Sequence, residues 1–109
     1  MKKPIERDRR RHKRLELTNL VAYKNFCIEE VSETINISLG GMKIKTEFPI
    51  DEGESLEVSL KIGDNDFESK ARVIYCNGRG DETYEVGVRF EETPGGHVRI
   101  LSQYLANQD

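Results

Sequence analysis

With 109 residues, 36% of them hydrophobic, the chain is long enough for one core and too short for two. Its net charge of −3 conceals an opposition: residues 1 to 14 hold eight Lys and Arg against Glu6 and Asp8, a balance of +6, so residues 15 to 109 carry −9. An acidic body argues against a coat for a long polyanion, whose affinity is built from many phosphate contacts. The charged start and the lack of a long apolar run argue against a signal peptide or membrane span, so a cytoplasmic setting is expected.

Residues 1–14 are expected to form a flexible basic arm, since the charged run Arg7-Asp8-Arg9-Arg10-Arg11-His12-Lys13-Arg14 has no apolar anchor beyond Ile5. Leu15, Leu17, Val21 and Tyr23 then fall on alternate positions, the period of a half-buried strand. After a loop around Lys24 to Cys27, the residues Val31, Ile35 and Ile37 mark a second strand, with Asn36 and Ser38 turned away from the apolar side. Leu39-Gly40-Gly41 interrupts the pattern, as a turn needing positive φ or a close approach would. Met42, Ile44, Thr46 and Phe48 resume it, with Lys43, Lys45 and Glu47 outward.

Pro49 to Gly53 is expected to close a hairpin onto a fourth strand, which places Leu56, Val58, Leu60 and Ile62 inward. Gly63-Asp64-Asn65-Asp66 is a turn by composition. A fifth strand carries Phe67, Ala71, Val73 and Tyr75, and a sixth, beyond the polar loop Asn77 to Glu82, carries Tyr84, Val86, Val88 and Phe90. Thr93 as N-cap and Pro94 at the first helical position begin a helix over 93–106, with a docking stripe of Val98, Leu101 and Leu105 beside Ile100 and Tyr104. Six short strands and one helix predict an all-β fold. Residues 15–109 are expected to form a small six-stranded antiparallel β-barrel with a C-terminal α-helix, closure removing the two edges of a flat sheet.

No enzyme signature is present. There is no GxSxG elbow and no P-loop, His12 and His97 stand alone, and Cys27 and Cys76 belong to no CxxC pattern, so neither a catalytic apparatus nor a metal site is implied. The chain reads as a binding module. Two local patterns remain: Arg-x-x-x-Arg in two registers, Arg7 with Arg11 and Arg10 with Arg14, and the turn Asn36-Ile37-Ser38-Leu39-Gly40-Gly41. Each is weak by itself, since arginine runs are commonly solvated tails and Asn-x-Ser before two glycines is commonly hairpin chemistry. Their order around the first two strands makes the combination specific.

Together these motifs resemble the PilZ domain family, bacterial receptors for cyclic di-GMP. The resemblance runs from the RxxxR pair through the [D/N]xSxxG turn to Tyr84-Glu85-Val86-Gly87-Val88-Arg89-Phe90 and the helix. It selects Arg10 and Arg14 over Arg7 and Arg11, because the family's second arginine lies close to the first strand. It implies a cyclic di-GMP site formed by Arg10, Arg14, Asn36, Ser38 and Gly41. Arg9 beside them is expected to favour a stacked pair of ligand molecules. Such a ligand offers two phosphates and two guanines, and a guanidinium can fork onto phosphate, pair with guanine O6 and N7, or stack on the purine. The resemblance further implies an arm that orders on binding and a protein partner in motility, adhesion or exopolysaccharide machinery. No cofactor is expected beyond the ligand. The rival expectation is a PilZ-like protein-interaction module without a nucleotide. Nucleic-acid binding, with Tyr23 and Phe26 as stacking groups, is opposed by the acidic body.

Overall fold

A computed structural model describes residues 20–107. The basic arm with Arg9, Arg10 and Arg14, together with Leu15 and Leu17 at the expected start of the first strand, lies outside the described residues. Six strands follow in order: β1 (Leu20–Lys24), β2 (Glu29–Ile37), β3 (Gly41–Thr46), β4 (Ser55–Ile62), β5 (Asn65–Gly78) and β6 (Tyr84–Glu92). All pairings are antiparallel, and the order β1-β2-β3-β6-β5-β4 closes into a barrel. One helix, α1 (Gly95–Ala106), follows β6.

The expected hairpin between the third and fourth strands does not form. β3 pairs with β2 and β6, whereas β4 pairs with β1 and β5, so residues 47–54 cross one end of the barrel. Closure dictates this, because it brings β3 to β6 and β1 to β4. The crossing is anchored by buried Ile50, by the Gly53 N–H on the Val73 carbonyl at 2.8 Å, and by Thr46 Oγ1 donating to the Phe48 carbonyl at 2.8 Å. Phe48, expected on the inward side, is 60% exposed.

The core is formed by alternating inward residues of the strands: Val21 and Tyr23, Met42 and Ile44, the four apolar residues of β4, Phe67, Ala71 and Val73, and Val86 and Val88. Each large aliphatic side chain removed from water stabilises the fold by about 1.5–3 kcal/mol before entropy is counted. β4 follows the expected alternation at every position. Its turn into β5 shortens to Gly63-Asp64, with Ile62 facing Asn65 and Gly63 at φ 63°.

β2 departs from expectation. Val21 faces Ser32 and Thr34 faces Ile44, and facing residues share a side of the sheet. Ser32 and Thr34 therefore turn inward while Val31 and Ile35 are left exposed. A bulge at Ile35 then restores Ile37 to the inner side and holds Asn36 outward. Likewise Tyr75 leaves the inward row of β5: Ile74 is a bulge, so Tyr75 faces Gly87 on the outer side and Cys76 faces Val86 on the inner.

Thr93 is not the helix cap. Pro94 takes that position, and Thr93 Oγ1 hydrogen-bonds with Ser69 Oγ at 2.7 Å, meeting the needs of a hydroxyl buried on β5. The helix docks through Leu101, buried at 2% exposure, with Ile100, Tyr104 and Leu105 against the core and Val98 left outside. His97 is a docking residue: its Nδ1 accepts the Glu68 N–H at 2.9 Å, and its ring lies 6.2 Å from that of Phe67. No helix among the described residues is long and apolar enough to cross a membrane.

Candidate functional site

The Asn36 to Gly41 segment turns β2 into β3, with Ile37 facing Met42 across the pair. The Ser38 N–H donates to the Gly41 carbonyl at 2.8 Å, and Ser38 Oγ donates to the same oxygen at 3.3 Å. With its proton so used, the exposed hydroxyl presents lone pairs that can accept. The Gly40 carbonyl accepts the Phe90 N–H at 2.8 Å, tying the turn to β6.

Of the two reasons for glycine at the turn, close approach applies at Gly41. A Cβ there would strike the Val88 carbonyl oxygen and come within 3.1 Å of Arg89 Cα, whereas positive φ is confined among glycines to Gly53, Gly63 and Gly80. Gly41 thus allows the motif to lie tight against β6.

That pairing composes the outer wall beside the motif. Gly41 faces Arg89, and Lys43 faces Gly87. Tyr75 lies over Gly87, where a Cβ would collide with its ring, and the phenol donates to Glu85 Oε2 at 2.6 Å. The carboxylate acceptor, with burial second, pushes the Tyr75 pKa up to about 12. Next to Arg89, Arg72 donates from Nε to Glu91 at 2.8 Å and from Nη1 to the Gly53 carbonyl at 2.9 Å. The Arg72 hydrogen bond holds the Glu91 carboxyl below its ordinary value.

The structure therefore brings Asn36, Ser38 and Gly41 to one groove of about 240 Å³, shared with Lys43, Tyr75 and Arg89. The other three sequence-expected site residues, Arg9, Arg10 and Arg14, lie outside the described residues. Lys43, Tyr75 and Arg89 were not singled out from sequence. Alternation did place Lys43 outward and Arg89 between two inward residues, but only the β3–β6 pairing sets them beside the motif. β1 runs antiparallel to β2, with Leu20 opposite Glu33 at the middle of β2 and Lys24 opposite Glu29, so the start of β1 is its end nearer the motif.

A larger groove of about 870 Å³ lies over β1, β4 and β5 and holds none of the motif residues. Its lining is acidic, with Glu29, Glu57, Glu68, Glu91 and Glu92 against Lys24 and Lys70, and its lysines have carboxylate neighbours: Lys24 faces Glu57, and Lys70 pairs with Glu92 at 3.7 Å. The smaller groove is the chemically specific one, because its polar groups converge. Among the described residues no three His, Cys, Asp or Glu are grouped to hold a metal ion, and Cys27 and Cys76 are free thiols.

Comparison with known proteins agrees with this geometry. The PilZ domain family model matches residues 8–107. Among solved structures, the Bacillus subtilis inhibitor of motility MotI/DgrA aligns at a TM-score of 0.71 and 20% identity, over 84% of this chain and 47% of that one. MrkH, a c-di-GMP-dependent transcription regulatory factor, aligns at 0.59 and 13% identity, over 77% of this chain and 34% of its own. The chain thus spans about half the length of the first and a third of the second. At these identities the likeness is one of fold. No curated protein sequence matches significantly. A family match over nearly the whole chain, joined to the closed barrel and to the Asn36-x-Ser38-x-x-Gly41 turn on its rim, establishes that the chain belongs to the PilZ domain family.

Proposed function

We propose that this chain is a cyclic di-GMP receptor whose basic arm closes over the motif groove when the ligand binds, and which signals through the surface so formed. The observation that carries the reading is the convergence of Asn36, Ser38 and Gly41 on one outer groove. At about 240 Å³ the groove is smaller than the roughly 300–1,000 Å³ usual for a ligand site, so a cyclic dinucleotide needs a second wall. Arg10 and Arg14 supply it in this reading, and the direction of β1, whose first residue is the one nearer the motif, favours that placement.

The chemistry divides between the two walls. Arg10 and Arg14 grip phosphate and guanine through charge-assisted, forked hydrogen bonds. Asn36 offers both a donor and an acceptor to a guanine edge or ribose, and Ser38 accepts from a guanine N–H while its own proton stays on Gly41. Arg9 contacts a second, stacked ligand molecule. The arm loses conformational freedom on binding, and the change in shape and charge is what a partner protein in motility, adhesion or exopolysaccharide machinery reads. The protein acts as a receptor in the cytoplasm and not as an enzyme.

Isothermal titration with cyclic di-GMP, against GTP and linear pGpG, tests the assignment. The Arg10→Ala, Arg14→Ala double variant is expected to lose roughly 1.5 to 3 kcal/mol per contact, on the order of tenfold to a hundredfold each, at unchanged melting temperature. Equal binding by wild type and the double variant would refute the arm's role. A wild-type protein that ignores cyclic di-GMP would refute the receptor reading itself.

A further inference from the structure

Lys43 and Arg89 are diagonal neighbours across the outer face of β3 and β6, and within that pair of strands each has a glycine for its direct partner. Across the β3–β6 pair Arg89 stands opposite Gly41 and Lys43 opposite Gly87, so on that side neither faces the side chain of its paired residue. Both are exposed, and long side chains at diagonal positions come within mutual reach. Arg72 stands on the other flank of Arg89, on β5. Cations thus gather at one place on a body of net charge −9.

The nearby carboxylates are engaged elsewhere. On β6, Glu91 takes the Arg72 Nε–H at 2.8 Å, and Arg89 acts on it only through space. Glu85 accepts the Tyr75 hydroxyl at 2.6 Å. On β2, Glu33 pairs with Lys45 at 3.7 Å, and Asn36, which faces Lys43, is uncharged. Among the described residues neither Lys43 nor Arg89 has an ion-pair partner.

Like charges set close across a sheet repel, and an anion lodged between them would relieve that repulsion. Lys43 and Arg89 line the same groove as Asn36 and Ser38. Resting on the cyclic di-GMP reading, we infer that Lys43 and Arg89 form a phosphate-binding pair on the barrel wall. Arg89 forks onto the phosphate oxygens and Lys43 adds a point charge. The barrel wall thereby supplies cations of its own to the phosphates of the ligand.

The full chain is titrated with cyclic di-GMP at low and high salt as wild type, Arg89→Gln, Lys43→Gln, Arg89→Lys and Lys61→Gln, and each protein is also melted without ligand. Arg89→Gln and Lys43→Gln are each expected to weaken binding roughly tenfold and to flatten its salt dependence. Without ligand both should melt at or above the wild-type temperature, since a repulsion has been removed. Arg89→Lys recovers part of the affinity, and Lys61→Gln, whose lysine is paired with Asp66 at 3.0 Å on the β4–β5 hairpin, leaves it unchanged. Wild-type affinity in both Gln variants overturns the pair while the receptor reading stands. A lowered melting temperature with unchanged affinity overturns it as well, by assigning the residues a structural role. Failure of the wild type to bind removes both readings together.

Discussion

The two sides of this barrel are built differently. β4 pairs with β1 and β5 without a register shift, and its residues alternate outward and inward over the full strand. The side formed by β2, β3, β6 and β5 has a shift between β2 and β3 and two more between β5 and β6. One shift holds Asn36 outward, another lays Tyr75 over Gly87, and the third, at Glu91, frees that carboxylate to reach Arg72. Both sides supply the core, but only the irregular side also aims side chains at a common groove. Departures from strict alternation concentrate where the sheet must present chemistry as well as pack.

Substitutions on the two sides should therefore fail in different ways. The largest expected loss of stability is on the regular side. Leu56→Ala empties a fully buried position and should cost about 2–5 kcal/mol in chemical denaturation. The fraction that remains folded should bind ligand as the wild type does. Altered affinity in that folded fraction would break the division between scaffold and site.

Gly41→Ala comes next. The new methyl meets a backbone carbonyl, which can move only if β3 and β6 part, so about 1–3 kcal/mol of stability is expected to go, together with ligand binding. Retention of full affinity would mean that the motif turn tolerates displacement from β6.

Gly87→Ala should be milder, because the obstacle is a ring that can swing away. Its signature is in tyrosine ionisation. The bond to Glu85 raises the Tyr75 pKa in the folded state to about 12, so its contribution to stability is fully present below about pH 10, the unfolded value, and is lost as pH climbs toward 12. Displacing the ring should bring this late-ionising tyrosine down toward the ordinary range, seen by ultraviolet absorbance during alkaline titration. An unchanged titration would show that Tyr75 keeps its place without Gly87.

Much of the fold could be read in the residues because the physics involved is local. Alternation at Leu56, Val58, Leu60 and Ile62 announces a strand with one face buried wherever that strand lies. The Asn36-x-Ser38-x-x-Gly41 turn carried its own signal for the same reason. Val31 and Ile35 misled, since apolar residues at alternate positions suggest an inner face, while pairing with Val21 and Ile44 decided that Ser32 and Thr34 would fill it. Thr93 looked like a helix cap because its alternative partner, Ser69, is distant in sequence.

The chain's own order of residues was enough to determine that it forms a six-stranded barrel with a terminal helix and that its motif turn lies between the second and third strands. Those features depend on period, turn chemistry and spacing along the chain. Tertiary structure alone decided that β3 meets β6, and with it the wall that sets Lys43, Tyr75 and Arg89 beside Asn36 and Ser38. Barrel closure joins strands far apart in sequence, and no local pattern specifies which edges will meet.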